Sequence, residues 1–129
     1  MSHDTTAIAG IDVTMYLVQD FDRAMKFWTE TMGLTPTFHY PIGRGAEFTL
    51  ADGSTFGLYQ RPDGEWARSA GVMFAVPDID AAVKKYKALG VKFGHGGEIR
   101  EGPICWLAFA QDSEGNFFAL HQRKAQDQA

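Results

Sequence analysis

Gly115 to Arg123 reads GNFFALHQR, and an earlier stretch, Gly53 to Arg61, reads GSTFGLYQR. Each opens on a glycine after an acidic turn and then runs through Phe, a small residue, Leu, an aromatic or His, Gln and Arg. Two equivalent strands are predicted, since Phe56 and Leu58, or Phe118 and Leu120, alternate with Thr55, Gly57 and Tyr59, or Phe117, Ala119 and His121. One face of each strand is a core face. The other is where a functional site should be sought.

The segments leading to these strands repeat as well. A buried strand is predicted over Asp12 to Val18, followed by a helix capped by Asp20, with Phe21, Met25, Trp28 and Met32 at helical spacing and Gly33 as its stop. Thr35 to Tyr40, Ala46 to Leu50 and Ser54 to Gln60 read as three strands. The same order returns as a strand over Gly71 to Val76, a helix capped by Asp78 and stopped by Gly90, and strands at Val91 to Phe93, Cys105 to Ala110 and Phe117 to Gln122. The fold class predicted is α+β: one domain over residues 1–129, made of two pseudo-symmetric βαβββ modules. Module 1 covers about residues 9–61 and module 2 about 70–123, with a linker at 62–69. The strands should form a curved, partly open, barrel-like sheet, with helices outside and a central cleft.

Composition narrows the function. A chain of 129 residues that is 45% hydrophobic builds a core without disulfide or metal support. The single cysteine, Cys105, excludes an internal disulfide and a cysteine-rich zinc site, and with an N-terminus lacking a signal-peptide pattern it points to the cytoplasm. Net charge of −4 argues against nucleic acid as a partner, and the one basic cluster, Lys84, Lys85 and Lys87, falls on the solvent face of a helix. No apolar run is long enough to span a membrane.

In the paired strand-to-helix joints VQDFDRAMKFWTETMGL (18–34) and VPDIDAAVKKYKALGV (76–91), and in the closing QDSEGNFFAL (111–120), the chain resembles the vicinal oxygen chelate superfamily. That superfamily holds glyoxalase I, extradiol dioxygenases, fosfomycin-resistance enzymes and bleomycin-resistance proteins. The resemblance implies the fold, a cleft shared between subunits of a homodimer and, in the metal-dependent members, ligands on the first and fourth strands of each module. Those positions fall here on Val13, Gly57, Gly71 and Ala119, none of which has a side chain that binds metal. Asp12 is one residue from the first of them. No metal and no cofactor is therefore expected.

The alternation places Val13, Met15 and Leu17, Glu47 and Thr49, and Thr55, Gly57 and Tyr59 on the inner face of module 1. Module 2 supplies Gly71, Met73 and Ala75, Cys105, Leu107 and Phe109, and Phe117, Ala119 and His121. From these, Met15, Glu47, Gly57, Tyr59, Met73, Phe109, Ala119 and His121 are the candidate ligand-binding residues, with small residues at the former metal positions leaving room for an organic ligand. His39 and Tyr40 alternate, so only one of them faces inward. Cys105 reads as a small buried hydrophobe, and Gly94 to Gly97 as a flap. The function expected is a metal-independent small-molecule-binding protein, antibiotic- or toxic-metabolite-binding, with the balance of features against an enzyme without deciding the point. The alternative is a lyase, isomerase or hydrolase of the same superfamily using His121 with Glu47 or Tyr59 as acid and base.

Overall fold

The computed structural model describes residues 5–125. Module 1 contains β1 (Thr14–Leu17), α1 (Phe21–Lys26), β2 (Phe38–His39), β3 (Arg44–Thr49) and β4 (Thr55–Gln60), in sheet order β1-β4-β3-β2. Module 2 contains β5 (Val72–Ala75), α2 (Ile79–Ala88), β6 (Lys92–Phe93), β7 (Arg100–Glu101), β8 (Cys105–Gln111) and β9 (Phe117–Arg123). Its sheet order is β5-β9-β8-β6, with β7 also on β8. In both modules the first strand pairs in parallel with the last, Tyr16 opposite Leu58 and Phe74 opposite Leu120. Among the described residues no strand pairing joins the two sheets, so the barrel is open.

The repeated residues explain the repeated architecture. Gly53 and Gly115 sit at φ 86° and 81°, a left-handed turn geometry in which a Cβ is strained. Phe56, Leu58, Phe118 and Leu120 are all at most 2% exposed and form the core with Trp28, Tyr16 and Phe48. The glutamine that ends each repeat has a purpose that alternation does not reveal. Gln60 Oε1 accepts the N–H of Phe21 and Gln122 Oε1 accepts that of Ile79, both at 2.8 Å, while Asp20 and Asp78 accept the N–H three residues on. Each module thus caps its helix twice, once locally and once from its last strand. Leucine at Gln60 or Gln122 is expected to cost about 1–2 kcal/mol by leaving a helix N–H without its acceptor, measurable by urea unfolding.

Several local expectations need correction. The first helix does not run as one α-helix to Gly33, because after Lys26 the chain widens into a π-turn over Phe27–Thr31, where the Thr29 hydroxyl bonds Met25 O at 2.7 Å. The strand predicted over Thr35 to Tyr40 shortens to Phe38–His39, although Thr37 N–H and Tyr40 N–H still bond Glu47 O and Gly45 O. The short strand β7 went unpredicted, since two polar residues carry no alternation. The glycine loop is a 3₁₀ turn, Gly94–Gly97, with His95 at φ 51°. Lys87 Nζ bonds Gly96 O, and Gly97 abuts Val83, so the predicted flap is anchored to α2.

The modules are joined through side chains. Trp28, fully buried, contacts Phe56 of β4 and Phe74 and Phe118 of module 2, with ring centroids 4.8–5.3 Å apart. The Tyr16 hydroxyl donates to Phe117 O at 2.6 Å and accepts from Val72 N at 3.0 Å; burial pushes its pKa up, against the Val72 bond. The closing motif forms the third tie. Glu114, its side chain fully buried, accepts the N–H groups of Gln19 and Asp20 and pairs with Arg23 at 2.6 and 3.0 Å. Asn116 donates to Leu17 O and accepts from Ser69 N, and Asp112 holds the turn by accepting from the N–H groups of Glu114 and Asn116.

Candidate functional site

Strand register decides which side chains share a face. In module 1 Met15 lies opposite Gly57, Gly57 opposite Glu47, and Glu47 opposite Phe38. In module 2 Met73 lies opposite Ala119 and Ala119 opposite Phe109, while Ala75, His121, Leu107 and Arg100 form the adjacent row. The intervening residues Phe48, Phe56, Leu58, Ala108, Ala110, Phe118 and Leu120 are buried, whereas among the eight candidates only Gly57 and Ala119 are. All eight candidate ligand residues therefore sit on the two sheet faces turned away from the core.

These faces differ in chemistry. On sheet 2, Met73 is 53% exposed, Phe109 44% and Phe117 38%, and the Arg68 guanidinium stands 4.8 Å over the Phe117 ring. Large apolar side chains left side by side in water on one face mark a surface that something covers. His121 is half-buried beside this patch. A small hollow of about 190 Å³ next to it is lined by Phe93, Gly94, Phe109 and Phe117.

On sheet 1 the ambiguity between His39 and Tyr40 is resolved. His39 pairs with Ala46 and shares the core-side parity, whereas Tyr40 lies over Gly45 and donates its hydroxyl to Glu47 Oε2 at 2.8 Å. A Cβ on Gly45 would fall 2.3 Å from the Tyr40 ring, so glycine at this position is what lets the ring lie flat on the strand. Burial, then the bond to Glu47, push the Tyr40 hydroxyl up to about 12, and it remains a donor at any physiological pH. Phe38 and Tyr59 flank it, with ring centroids 5.8 and 6.4 Å from that of Tyr40. Phe38 was missed by the sequence reading and Tyr40 left open against His39, because so short a strand carries too little alternation to assign a face.

Glu47 has Tyr40 as its hydrogen-bond partner, and no bond links it to His121, which lies on the other sheet. Tyr59 packs its ring near that of Tyr40 on the same sheet, and His121 belongs to the other sheet. Cys105 is buried, 8% exposed, with its sulfur against Gly102.

The four positions that hold metal in the resembling enzymes do not fit one here. Ala119 is buried, Gly71 is at φ 106°, and Val13 and the exposed Asp12 precede β1. At Gly57 the room expected from a missing side chain is already taken, since the Met15 thioether folds to 2.9 Å from where a Cβ would stand. Among the described residues no three His, Cys, Asp or Glu side chains come together as a ligand set. Nor is any described helix long and apolar enough to cross a membrane.

A larger cavity of about 620 Å³ lies elsewhere, between the end of α1, the β3–β4 turn and the free edge of β5. Its lining includes Trp28, Met32, Phe56, Phe74, Val76 and Tyr86, and of the eight candidates only Met73 borders it. Its turn polar groups are already paired, Ser54 with Asp52. It lies between the packed modules, and of the residues that alternation places on the inner face it takes Thr55, Gly71, Met73 and Ala75 into its lining.

Two βαβββ modules, each with a core-backed sheet and an outward face bearing aromatic and small residues, define a class of proteins built from paired modules. Residues 10–119 match the Glyoxalase/Bleomycin resistance protein/Dioxygenase superfamily, and the chain belongs to it. It is 29% identical over 129 residues to the uncharacterised protein YetH of Bacillus subtilis (strain 168), a match covering 89% of this chain and 99% of that protein. The structure is similar to that of TnmS3, an antibiotic binding protein from Streptomyces sp. CB03234, with a TM-score of 0.78, 22% identity and coverage of 92% and 99%. It is similar also to lactoylglutathione lyase from Agrobacterium tumefaciens, with a TM-score of 0.72, 18% identity and coverage of 89% and 94%. Likenesses at these identities establish the fold and leave the chemistry to the residues.

Proposed function

We propose that this chain is a metal-independent small-molecule-binding protein of the superfamily, which takes an organic ligand with aromatic or aliphatic surface against the outward faces of its sheets. The observation that carries this reading is the patch of Met73, Phe109 and Phe117, exposed together on one face while the opposite face of the same sheet is packed. The absence of donor side chains at the four family positions supports binding without a metal. The similarity in fold to an antibiotic binding protein supports a sequestering role, and a second copy of the chain is the proposed cover, giving a homodimer whose clefts combine a face from each subunit. A soluble cytoplasmic location fits this reading.

Calorimetric titration against a panel of aromatic and glycopeptide-like compounds tests it, with saturable binding by at least one expected. Phe109→Asp should weaken that binding on the order of tenfold or more, since it places a charge in the apolar patch and leaves the core untouched. No binding by any compound at millimolar concentration would count decisively against the reading. Sedimentation analysis should give twice the mass of one chain, and a monomer at micromolar concentration would remove the shared cleft.

A further inference from the structure

Glu47 is the only charged residue that strands β1–β4 place on the outward face of sheet 1. One of its oxygens takes the Tyr40 hydroxyl at 2.8 Å, which fixes the carboxylate, and among the described residues no hydrogen bond occupies the other. Around it stand three aromatic rings, Phe38, Tyr40 and Tyr59, linked by centroid distances of 5.8 and 6.4 Å, with Phe38 52% exposed and the rest half-buried. Their faces carry the negative quadrupole that attracts a cation, and a fixed carboxylate adds net charge to that attraction. Gly45 is shaped to this arrangement, because any side chain there displaces the Tyr40 ring. The corresponding face of sheet 2 has no carboxylate among its strand residues, so the two faces differ in charge.

We propose that Glu47, Tyr40, Tyr59 and Phe38 form a subsite for an organic ammonium group, so that the ligand is a cationic molecule whose amine or quaternary ammonium rests on sheet 1. The inference rests on the ligand-binding reading above and narrows it to a class of ligand. The neutral, apolar part of the same molecule would then meet Met73 and Phe109.

The test uses choline and its uncharged carbon analogue 3,3-dimethylbutan-1-ol, titrated into the full-length protein and followed by the methyl resonances of its methionines. Met15, folded over Gly57 beside Glu47, is the reporter on this face. Choline is expected to shift the Met15 methyl saturably, with the analogue at least tenfold weaker. Glu47→Gln, which keeps the shape and an acceptor for Tyr40, should weaken choline on the order of tenfold and leave the analogue unchanged. Tyr59→Leu, away from the Tyr40–Glu47 bond, should weaken choline as well, which guards against a misleading effect of Glu47→Gln on local structure. Equal affinity for the two compounds, or no Met15 shift by choline, overturns the subsite. If neutral aromatics still bind against Met73 and Phe109, only the cationic class falls; if they fail too, the ligand-binding reading falls with it.

Discussion

Trp28→Ala is expected to leave the protein largely unfolded at 37 °C. The side chain is fully buried and its ring touches Phe27, Phe56, Phe74 and Phe118 at centroid distances of 4.8–5.3 Å, so it packs against both sheets at once. Truncating a buried Trp costs about 3–5 kcal/mol, a large part of the 5–15 kcal/mol that holds a domain folded. Because the Trp28 Nε1 has no hydrogen-bond partner among the described residues, Trp28→Phe loses volume only. It should cost less than half as much by denaturant unfolding. Equal losses in the two variants would mean that the indole nitrogen matters and that the packing account is wrong.

Glu114→Gln should lower stability by about 2–4 kcal/mol, a fall in Tm on the order of 10 °C. The carboxylate accepts two backbone N–H groups at the β1–α1 joint and both guanidinium bonds from Arg23, which reaches it from the other module. Half of the Arg23 side chain is solvated, so its charge is not stranded when the partner is neutralised, and the cost lies in the weakened bonds. The sign of the pH dependence follows. Burial raises the Glu114 pKa, but Arg23, the Asp20 N–H and Ser113 outweigh it and leave the group below its ordinary 4.5. Its contribution is therefore complete above that value and is lost as pH falls through the lower folded pKa. Asp112 works the other way, raised chiefly by burial against its bonds to Asn116 and Glu114, so its ionisation costs stability and protonation relieves that cost. The gap between wild type and Glu114→Gln should accordingly narrow below pH 4.5, and a constant gap would contradict the assignment.

The repeat made the module plan legible, because Phe56, Leu58, Phe118 and Leu120 announce their burial by alternation and Asp20 and Asp78 their caps by position. The outward face was readable by the same parity, and the register puts Met15, Glu47, Gly57 and Tyr59 on one sheet face and Met73, Phe109, Ala119 and His121 on the other. What alternation cannot carry is contact across the chain. Tyr40 reaches Glu47 because Gly45 lets it lie across the strand, and Gln60 and Gln122 cap helices thirty-nine and forty-three residues away in sequence. The buried acids of the closing motif are similarly silent, since Asp112 and Glu114 read as a solvated turn until Arg23 and the β1–α1 joint are brought to them.

The reading that a ligand is held on the outward sheet faces without metal is tested most directly by the five methionine methyls. Chelator-treated protein carrying ¹³C-labelled methionine methyls is titrated with a binding compound from the panel. Met15 marks the outward face of sheet 1, Met73 lies on that of sheet 2 and also borders the 620 Å³ cavity between the modules, and Met32 marks that cavity alone. Saturable shifts of Met15 and Met73, with Met32 unmoved and no stoichiometric metal by elemental analysis, are the result expected. Shifts of Met32, with or without Met73, while Met15 stays unmoved, or binding restored only by about one equivalent of metal and abolished by His121→Ala, would contradict it.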